Sequence, residues 1–375
     1  MLKVMTIVGT RPEMIRLSRV IARLDETVDH VLVHTGQNYD YTLNGVFFRD
    51  LGIREPDHLL GVDTSSLGHV LGETLIRTEE VLLAERPDAV LILGDTNSSI
   101  AAVMAKRMRI PVYHMEAGNR CFDERVPEET NRRLVDHVAD FNLVYTEHAR
   151  RNLLAEGLHP SRIMLTGSPM GEVLDAYLPQ IQASDVLTRL GLTERSYFLV
   201  SAHREETVDS PDRLRTLLDC LAAVHTEWQL PILVSTHPRT RKRLRALPSW
   251  TEPDGIVFQE PFGFHDYNRL QLSAACVLSD SGTIAEESSI LAFPSLTLRE
   301  SIERPEALET GAIMMTGLDV EDVVQTIRLV MGEDRIPELT QSQLPSEYAI
   351  ANVSGRVVKF ILSTAARHRS WSGLQ

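Results

Sequence analysis

One repeated pattern constrains the fold of this chain more than any other feature. Short apolar runs end in a glycine or a polar turn and are followed by longer, helix-compatible segments along the whole sequence. This pattern predicts parallel strands joined by crossover helices. In the first half, strands are predicted at residues 3–8, 30–34, 89–93, 112–115, 141–145 and 163–165. In the second half, they are predicted at residues 197–201, 232–235, 255–258, 275–279, 295–298 and 312–316.

The chain length fits two cores of this kind. A single core rarely exceeds roughly 200 residues, and the sequence has 375. Pro169 and Pro179 interrupt the alternation between residues 167 and 192, as a linker would. We therefore predict an α/β fold of two Rossmann-like, doubly wound domains, residues 1–167 and 168–375, facing across a cleft. Residues 348–368 are predicted to form one C-terminal helix that could pack back on the first domain.

Charge and cysteine content narrow the classes of function. Asp and Glu number 52 against 38 Lys and Arg, so a formal charge of −14 would repel nucleic acid and anionic lipid. Cys121, Cys220 and Cys276 form neither a CxxC pair nor a zinc pattern. No apolar run approaches the roughly 20 residues of a membrane-spanning helix. We predict a cytoplasmic protein with no metal, no nucleic-acid partner and no membrane insertion.

Ligands in doubly wound folds bind at the carboxyl ends of strands, so the residues that follow the predicted strands are the candidates for a site. The first strand ends in GTRPE, where Arg11 lies at a predicted helix start that suits a phosphate or diphosphate. This run is neither GxGxxG nor the GxxxxGK[ST] of a P-loop, so no cofactor is implied. Arg16, about one helical turn further, either adds charge to the same pocket or faces solvent.

Carboxylates follow the next strands of the first half. Asp95 follows one strand, Glu116 follows another, and Glu128 opens a predicted helix shortly afterwards. Two acids at the same cleft edge indicate proton transfer. The alternatives are a cap or turn role for Asp95 and a favourable interaction with the helix dipole for Glu128 and Glu129.

In the second half, His203 follows the first strand and His237 the second. His203 could act on a leaving phosphate or carry a proton, or it could be a hydrogen-bonded structural imidazole, whereas His237 is expected to shape the cleft. Residues 281–283 precede a helix that carries Glu287, and Arg304 adds a cation. Small hydroxyl residues and a glycine at a helix start indicate an anion site, and the acid can bind ribose hydroxyls; the alternative is an ordinary helix cap.

Taken in order, the runs GTRPE, GDT, HMEAG, PEETNR, AHREE, SDSG and ERPE resemble the non-hydrolysing UDP-N-acetylglucosamine 2-epimerase family, from about Val4 to Glu306. The resemblance implies a fold of the glycosyltransferase-B type, a homodimer and an isomerase that acts on a UDP-N-acetylhexosamine. It implies acid–base or leaving-group roles for Asp95, Glu116, Glu128 and His203. The residues predicted to bind the substrate or UDP are Arg11, Arg16, Arg132, Arg204, His237, Phe264, Ser281, Gly282, Thr283, Glu287 and Arg304.

A narrower resemblance is carried by HTGQNYDY, EAGNRCFDERVPEETNR and GFHDYNRLQ. These runs look like the branch that converts UDP-2-acetamido-2,6-dideoxy-L-talose to UDP-N-acetyl-L-fucosamine for surface polysaccharides such as capsule and O-antigen. Arg16 stands where the commoner glucosamine enzymes usually have Lys, and residues 37–40 replace their Gln-His segment. That segment lies near the site at which those enzymes bind an allosteric substrate molecule, so the same regulation is not expected here.

The predicted chemistry follows from the weak acidity of C2–H, which lies beside no carbonyl of the sugar skeleton. Early departure of UDP acidifies C2–H, elimination gives a 2-acetamidoglycal, and readdition of UDP with protonation from the other face inverts C2. The alternatives are epimerisation between UDP-N-acetylglucosamine and UDP-N-acetylmannosamine, a hydrolysing epimerase, a glycosyltransferase on the same fold, and a nucleotide-sugar sensor without activity.

Overall fold

The computed structural model describes residues 1–36, 48, 50–248, 250–333, 344–371 and 373. The chain divides into two compact units, one of Met1–Ala176 with Glu347–Gln375 and one of Tyr177–Ser346. The division falls nine residues after the predicted end of the first domain, residue 167, and it assigns the last part of the chain to the first unit.

The first unit is built on a parallel sheet of seven strands. Its strands are β1 (Lys3–Val8), β2 (Asp29–His34), β3 (His58–Leu59), β4 (Ala89–Leu93), β5 (Val112–Met115), β6 (Phe141–Val144) and β7 (Ile163–Leu165). They are ordered β3-β2-β1-β4-β5-β6-β7. The helices are α1 (Arg11–Thr27), α2 (Leu67–Glu85), α3 (Ala101–Arg107), α4 (Glu128–Val138) and α5 (Glu147–Ala155), with 3-10 turns at Asn97–Ile100 and Pro160–Arg162. The next helix, α6 (Met170–Ala183), begins in the first unit and ends in the second.

The second unit is built on a parallel sheet of six strands. Its strands are β8 (Phe198–Ser201), β9 (Ile232–Ser235), β10 (Ile256–Gln259), β11 (Cys276–Ser279), β12 (Ser295–Thr297) and β13 (Met314–Met315), in the order β10-β9-β8-β11-β12-β13. The helices are α7 (Val186–Leu190), α8 (Glu205–Val208), α9 (Pro211–Trp228), α10 (Pro238–Arg245), α11 (Phe264–Ser273), α12 (Ile284–Leu291), α13 (Pro305–Glu309) and α14 (Val320–Glu333).

Both sheets contain the strand order 3-2-1-4-5-6 of Rossmann folds. The predicted α/β class, with two Rossmann-like, doubly wound domains, is therefore confirmed. Each predicted strand is present to within one or two residues at either end. Central strands such as β4 are buried along their whole length, which is why they read as continuous apolar runs rather than alternating ones. One strand of the structure, β3, was not predicted, because its two residues are too few to form a recognisable apolar run.

The segment predicted as a linker contains the division between the two units, but its prolines do not interrupt the helical pattern, because most of the segment is helix α6. The helix places Val173, Leu174, Tyr177 and Ile181 in buried positions, a spacing that matches one helical face. Pro179 lies inside the helix, where it removes one backbone donor. The burial of this face offsets the cost of the proline, and a local reading of proline misses that tertiary contribution.

The end of the chain returns to the first unit through a 3-10 turn at Ser346–Ala349, α15 (Val353–Thr364), a 3-10 turn at Ala365–Arg367 and α16 (His368–Trp371). The predicted single helix is broken because Asn352 has a left-handed backbone, with φ 56°. Thr364 hydrogen-bonds Tyr113 of β5 at 2.6 Å, and His368 lies 2.7 Å from the buried carboxylate of Asp140. These contacts join the C-terminal helices to the part of the sheet that carries β5 and β6.

None of the helices in the described ranges is both long and apolar enough to cross a bilayer.

Candidate active site

The turn after β1 is organised by a buried glutamate. Glu13 accepts hydrogen bonds from the backbone N–H of Gly9 and Thr10 at 2.9 and 2.7 Å, and from the hydroxyls of Thr96 and Ser98 at 3.1 and 2.5 Å. Burial raises the pKa of Glu13, although these donors oppose the shift. This carboxylate therefore ties the GTRPE turn to the turn after β4.

The two cations of this turn occupy different positions. Arg11 is the first residue of α1 and is half-buried, so its charge lies beside the backbone N–H groups of a helix start, which favour an anion. Arg16 lies one turn further, is buried, and forms an ion pair with Glu116. The alternative of a solvent-facing Arg16 is therefore wrong.

Glu116 follows β5 in a left-handed backbone conformation, with φ 64°. Such a conformation is uncommon outside glycine and is found in strained turns at functional sites. One carboxylate oxygen pairs with Arg16 and the other accepts a hydrogen bond from Asn119 at 3.4 Å. The strained turn thus holds a carboxylate at the carboxyl end of β5.

Asp95 follows the neighbouring strand β4 and is held by an arginine. Nε and Nη2 of Arg132 lie 2.9 and 2.5 Å from Asp95 Oδ2, and the side chain of Asp95 is 26% exposed. Asn131 donates to the backbone oxygen of Asp95 at 3.0 Å. Because β4 and β5 are hydrogen-bonded neighbours, Asp95 and Glu116 follow adjacent strand ends. Glu128 is the first residue of α4 and is half-buried, so it is not a freely solvated acid.

A buried ionic network supports the segment between β5 and α4. Asp136 of α4 lies 2.9 Å from Nδ1 of His114, accepts from Gly118 N–H, and pairs with Arg120 at 2.8 Å. Arg120 also pairs with Glu156 at 2.7 Å. Gly118 has φ 81°, and a Cβ there would lie 2.4 Å from the backbone oxygen of Ala149. The network therefore fixes the path of the chain on which Glu116 lies.

His34 closes β2 in a buried position near the same sheet end. Its Nδ1 accepts a hydrogen bond from Gly36 N–H at 2.9 Å, and burial lowers the pKa of His34 to about 4. The imidazole is therefore neutral at pH 7.

In the second unit, His203 is oriented by a buried aspartate. Asp280, which follows β11, accepts from the backbone N–H of His203 and Arg204 at 2.8 and 2.9 Å. Its other oxygen lies 3.2 Å from Nδ1 of His203. The His203 ring is 42% exposed, and the ring of His237, at the start of α10, lies 6.4 Å away between centroids. An exposed imidazole with a fixed ring can act on a bound ligand.

The turn before α12 is lined by small residues. The hydroxyls of Ser281 and Thr283 lie 3.0 Å apart, and Ser281 N–H donates to Ser279 at 3.0 Å. A pocket of about 220 Å³, which includes open solvent, is lined in part by Ser281, Gly282, Thr297 and Arg304. A Cβ on Gly282 would lie 3.2 Å from Oε2 of Glu303 and 3.5 Å from Nη2 of Arg204. The glycine therefore leaves room for a ligand beside a helix start.

Arg304 is part of the wall of this pocket. It donates to the backbone oxygen of Gly282 at 3.0 Å and pairs with the buried Glu286 at 2.9 Å. Arg204 lies 3.9 Å from Glu303. Arg304 thus holds the turn before α12, and the alternative of a solvated arginine is wrong.

The remaining predicted residues lie on α11 and α12. Glu287 is half-buried and accepts from Gln271 at 2.6 Å. Phe264 is buried, and its ring packs edge-on against Tyr177 at 5.8 Å. Residues 37–40, which carry the predicted departure near an allosteric site, lie outside the described residues.

Sequence reasoning assigned no role to Glu13, Asp136 or Asp280, although each organises a strand end. Glu13 and Asp280 lie inside the quoted motifs and Asp136 lies just after one. The sequence does not distinguish a buried acid that accepts backbone N–H groups from an exposed acid. Across the described part of the chain, no group of three or more His, Cys, Asp or Glu side chains is arranged to hold a metal ion.

Comparison with known proteins identifies the family. A family model described as UDP-N-acetylglucosamine 2-epimerase matches residues 22–362. A solved structure of this enzyme type from Rickettsia bellii is 47% identical, with a TM-score of 0.92 and 98% of each chain covered. The UDP-GlcNAc 2-epimerase of Methanocaldococcus jannaschii, solved in complex with UDP-GlcNAc and UDP, is 32% identical, with a TM-score of 0.89 and coverage of 96% of this chain and 100% of that one.

A further relative carries a different substrate name. The UDP-2,3-diacetamido-2,3-dideoxy-D-glucuronate 2-epimerase of Pseudomonas aeruginosa is 33% identical over 337 residues, which is 88% of this chain and 93% of the relative. The predicted family is confirmed: with two Rossmann-like units, acids at neighbouring strand ends and these relatives, the chain belongs to the UDP-N-acetylglucosamine 2-epimerase family and is an epimerase.

Proposed function

We propose that this enzyme inverts C2 of UDP-2-acetamido-2,6-dideoxy-L-talose to give UDP-N-acetyl-L-fucosamine, without net hydrolysis. The observation that carries the acid–base part of the proposal is the pair of carboxylates, Asp95 and Glu116, at the ends of adjacent strands β4 and β5. Each is held by an arginine of the first unit. A fixed pair of acids suits a reaction that removes a proton and returns one.

The reaction begins with cleavage of the C1–O bond. The bonding electrons leave with UDP, the C2 proton passes to a carboxylate, and the C2–H electrons form the C1=C2 double bond of a 2-acetamidoglycal. In the return step, a β-phosphate oxygen of UDP bonds to C1 while C2 takes a proton on its opposite face. Inversion therefore needs proton-transfer groups on two faces, and Asp95, Glu116 and Glu128 share these roles as a coupled set.

The charge that develops on UDP must be stabilised as it leaves. We propose that Ser281, Gly282 and Thr283 bind phosphate oxygens and that Glu287 binds the ribose. His203, whose ring is oriented by Asp280, acts near the leaving group. The other proposed contacts are made by Arg11, Arg16, Arg204, His237, Phe264 and Arg304.

The sugar is proposed from the runs EAGNRCFDERVPEETNR and GFHDYNRLQ. Relatives at similar identity are named for different UDP-sugars, so membership of the family leaves the sugar open. The second candidate is epimerisation between UDP-N-acetylglucosamine and UDP-N-acetylmannosamine, which the name of the 47% identical relative favours.

The setting of the reaction is also part of the proposal. We propose a cytoplasmic homodimer that supplies precursors of surface polysaccharide such as capsule, O-antigen or lipopolysaccharide. Light scattering coupled to gel filtration tests the dimer, because a mass equal to one chain would contradict it.

The experiment is proton NMR in deuterated water with UDP-N-acetylglucosamine and, separately, the 6-deoxy-L-talo and L-fuco UDP sugars. Deuterium at C2 of the two 6-deoxy sugars, with UDP still attached, supports the proposal. Exchange only with UDP-N-acetylglucosamine supports the second candidate. Release of free sugar would indicate hydrolysis, and no exchange with any of the three would contradict both candidates.

A further inference from the structure

Glu129 of α4 has an unusual place for an acid in the first turn of a helix. Such acids ordinarily face water and interact with the helix dipole, but Glu129 is only 3% exposed. It accepts from the backbone N–H of Cys121 at 3.2 Å and from its thiol at 3.3 Å. Burial alone would raise the pKa of Glu129, but the Cys121 hydrogen bond and the charge of Arg132 hold it below its usual range.

Glu129 pairs with two arginines: the half-exposed Arg133, 3.1 Å from Oε1, and the buried Arg132, which also binds a second carboxylate. Nη1 of Arg132 lies 3.0 Å from Glu129 Oε2, while Nε and Nη2 lie 2.9 and 2.5 Å from Asp95 Oδ2. Arg132 is 4% exposed. A guanidinium is planar, and its nitrogens form a rigid fork. Fixing Nη1 on Glu129 therefore fixes the direction of the two nitrogens that meet Asp95.

The exposures of Asp95, Arg132 and Glu129 indicate which of them can contact a substrate. Asp95 is partly exposed, whereas Arg132 and Glu129 are buried behind it. Neither buried group needs to reach a substrate to influence Asp95. Arg132 was predicted to bind the substrate or UDP, and in the structure its guanidinium donates to two carboxylates of its own unit.

We infer that Glu129 is a positioning residue, which holds Arg132 so that Asp95 keeps a single orientation for proton transfer. The inference rests on the proposed function, because it gives Asp95 a part in the reaction. Loss of Glu129 frees one end of the guanidinium and lets Asp95 rotate. Small displacements of a reacting group reduce turnover more than they reduce substrate binding.

The test compares Glu129→Gln with a matched control, Glu147→Gln. Glu147 opens α5 and pairs with Arg150 three residues later at 2.7 Å, the same spacing as Glu129 and Arg132, but it is 39% exposed. We expect Glu129→Gln to lower kcat by about tenfold or more while KM stays within about threefold. Glu147→Gln leaves both unchanged. Wild-type kcat in Glu129→Gln would overturn the inference.

A double-mutant cycle asks whether Glu129 acts through Asp95. Glu129→Gln should have almost no further effect, within about twofold, in an Asp95→Asn background. Independent, multiplying effects would overturn the inference. If Glu129→Gln does not fold, Arg132→Lys replaces it, because lysine keeps the charge but not the planar fork. We expect Arg132→Lys to lower kcat by about tenfold or more, and to have almost no further effect in the Asp95→Asn background. Wild-type kcat in Arg132→Lys would contradict the inference.

A readout that needs no turnover separates this inference from the proposed function. Hydrogen exchange at Arg132 Nε–H, assigned by its loss in Arg132→Lys, should become about tenfold faster in Glu129→Gln and stay unchanged in Glu147→Gln. Unchanged protection of this N–H in Glu129→Gln would overturn the inference, whatever the activity of the enzyme. Absence of C2 exchange in the wild-type enzyme would contradict only the proposed function.

Discussion

The two sheets place an aspartate after equivalent strands and use it differently. β4 and β11 each lie beside the first strand of their own sheet. Asp95 follows β4 with a partly exposed side chain that meets a guanidinium. Asp280 follows β11, is fully buried, and accepts two backbone N–H groups.

The two aspartates differ because Asp95 lies one residue further from its strand than Asp280 does. Asp280 directly follows β11, and its N–H still bonds to Ser201 of the neighbouring strand at 3.0 Å. After β4, that place is taken by Gly94, whose N–H bonds to Met115 at 3.0 Å and whose φ is 71°. Asp95 therefore lies beyond the sheet. In the same topology, an acid directly after the strand becomes a buried acceptor of backbone N–H groups, whereas an acid one residue later keeps a partly exposed side chain.

The largest effect is expected for Glu116→Gln in the first unit. We expect C2 deuterium exchange to fall by about a thousandfold, because removal of an acid–base group costs two to four orders of magnitude. UDP affinity, measured by calorimetry, should change little. Glu124→Gln, an exposed acid in the same loop, is the control. Normal exchange in Glu116→Gln would remove this residue from the mechanism.

Replacing each aspartate by asparagine tests the comparison directly. Asp95→Asn should lower kcat by about a hundredfold or more and cost less stability in urea unfolding than Asp280→Asn, because the Asp95 side chain is 26% exposed and Arg132 keeps its pairing with Glu129. Asp280→Asn should lower the free energy of unfolding by about 1–3 kcal/mol, since a neutral amide oxygen accepts the two N–H groups more weakly than a carboxylate oxygen and the amide removes the negative charge beside His203. A larger loss of stability in Asp95→Asn than in Asp280→Asn would contradict the comparison.

Acid should weaken the first unit through His34. The pKa of His34 is lowered to about 4 in the folded protein and is near 6.5 in the unfolded chain, so the unfolded chain binds more protons between these values. Stability is therefore retained above about pH 6.5 and is lost as the pH falls towards 4, by on the order of 3 kcal/mol. Urea titrations at pH 7 and pH 4.5 should show a smaller loss for His34→Gln than for the wild type, and an equal loss would contradict the assignment.

The smallest effect is expected at Gly282 in the second unit. Gly282→Ala places a methyl group against Glu303 and Arg204, so UDP affinity should fall by about tenfold, or about 1.4 kcal/mol. Gly72→Ala in α2 is the matched control, because its methyl group meets nothing within 4 Å. It should leave UDP affinity unchanged and raise stability by up to about 1 kcal/mol. Equal UDP affinity in Gly282→Ala and wild type would argue against phosphate binding at this turn.

The fold was predictable because its strands are buried on both faces and so form continuous apolar runs. The short edge strand β3 and the proline-containing helix α6 were not, since pairing and burial by distant residues stabilise them. Among site residues, position after a strand was enough to select Asp95 and Glu116. It could not show that Glu129 turns inward or that Asp280 accepts backbone N–H groups, because those roles depend on side-chain direction.

The return of residues 347–375 to the first unit has a consequence for synthesis. Because translation proceeds from the amino end, the whole second unit emerges from the ribosome before the helices that pack on β5 and β6 are made. The unit that begins the chain is thus the last to be completed. Until then Tyr113 and Asp140 lack their partners Thr364 and His368, and the nascent first unit exposes the apolar surface of Tyr113 and Phe141 that Phe360 later covers.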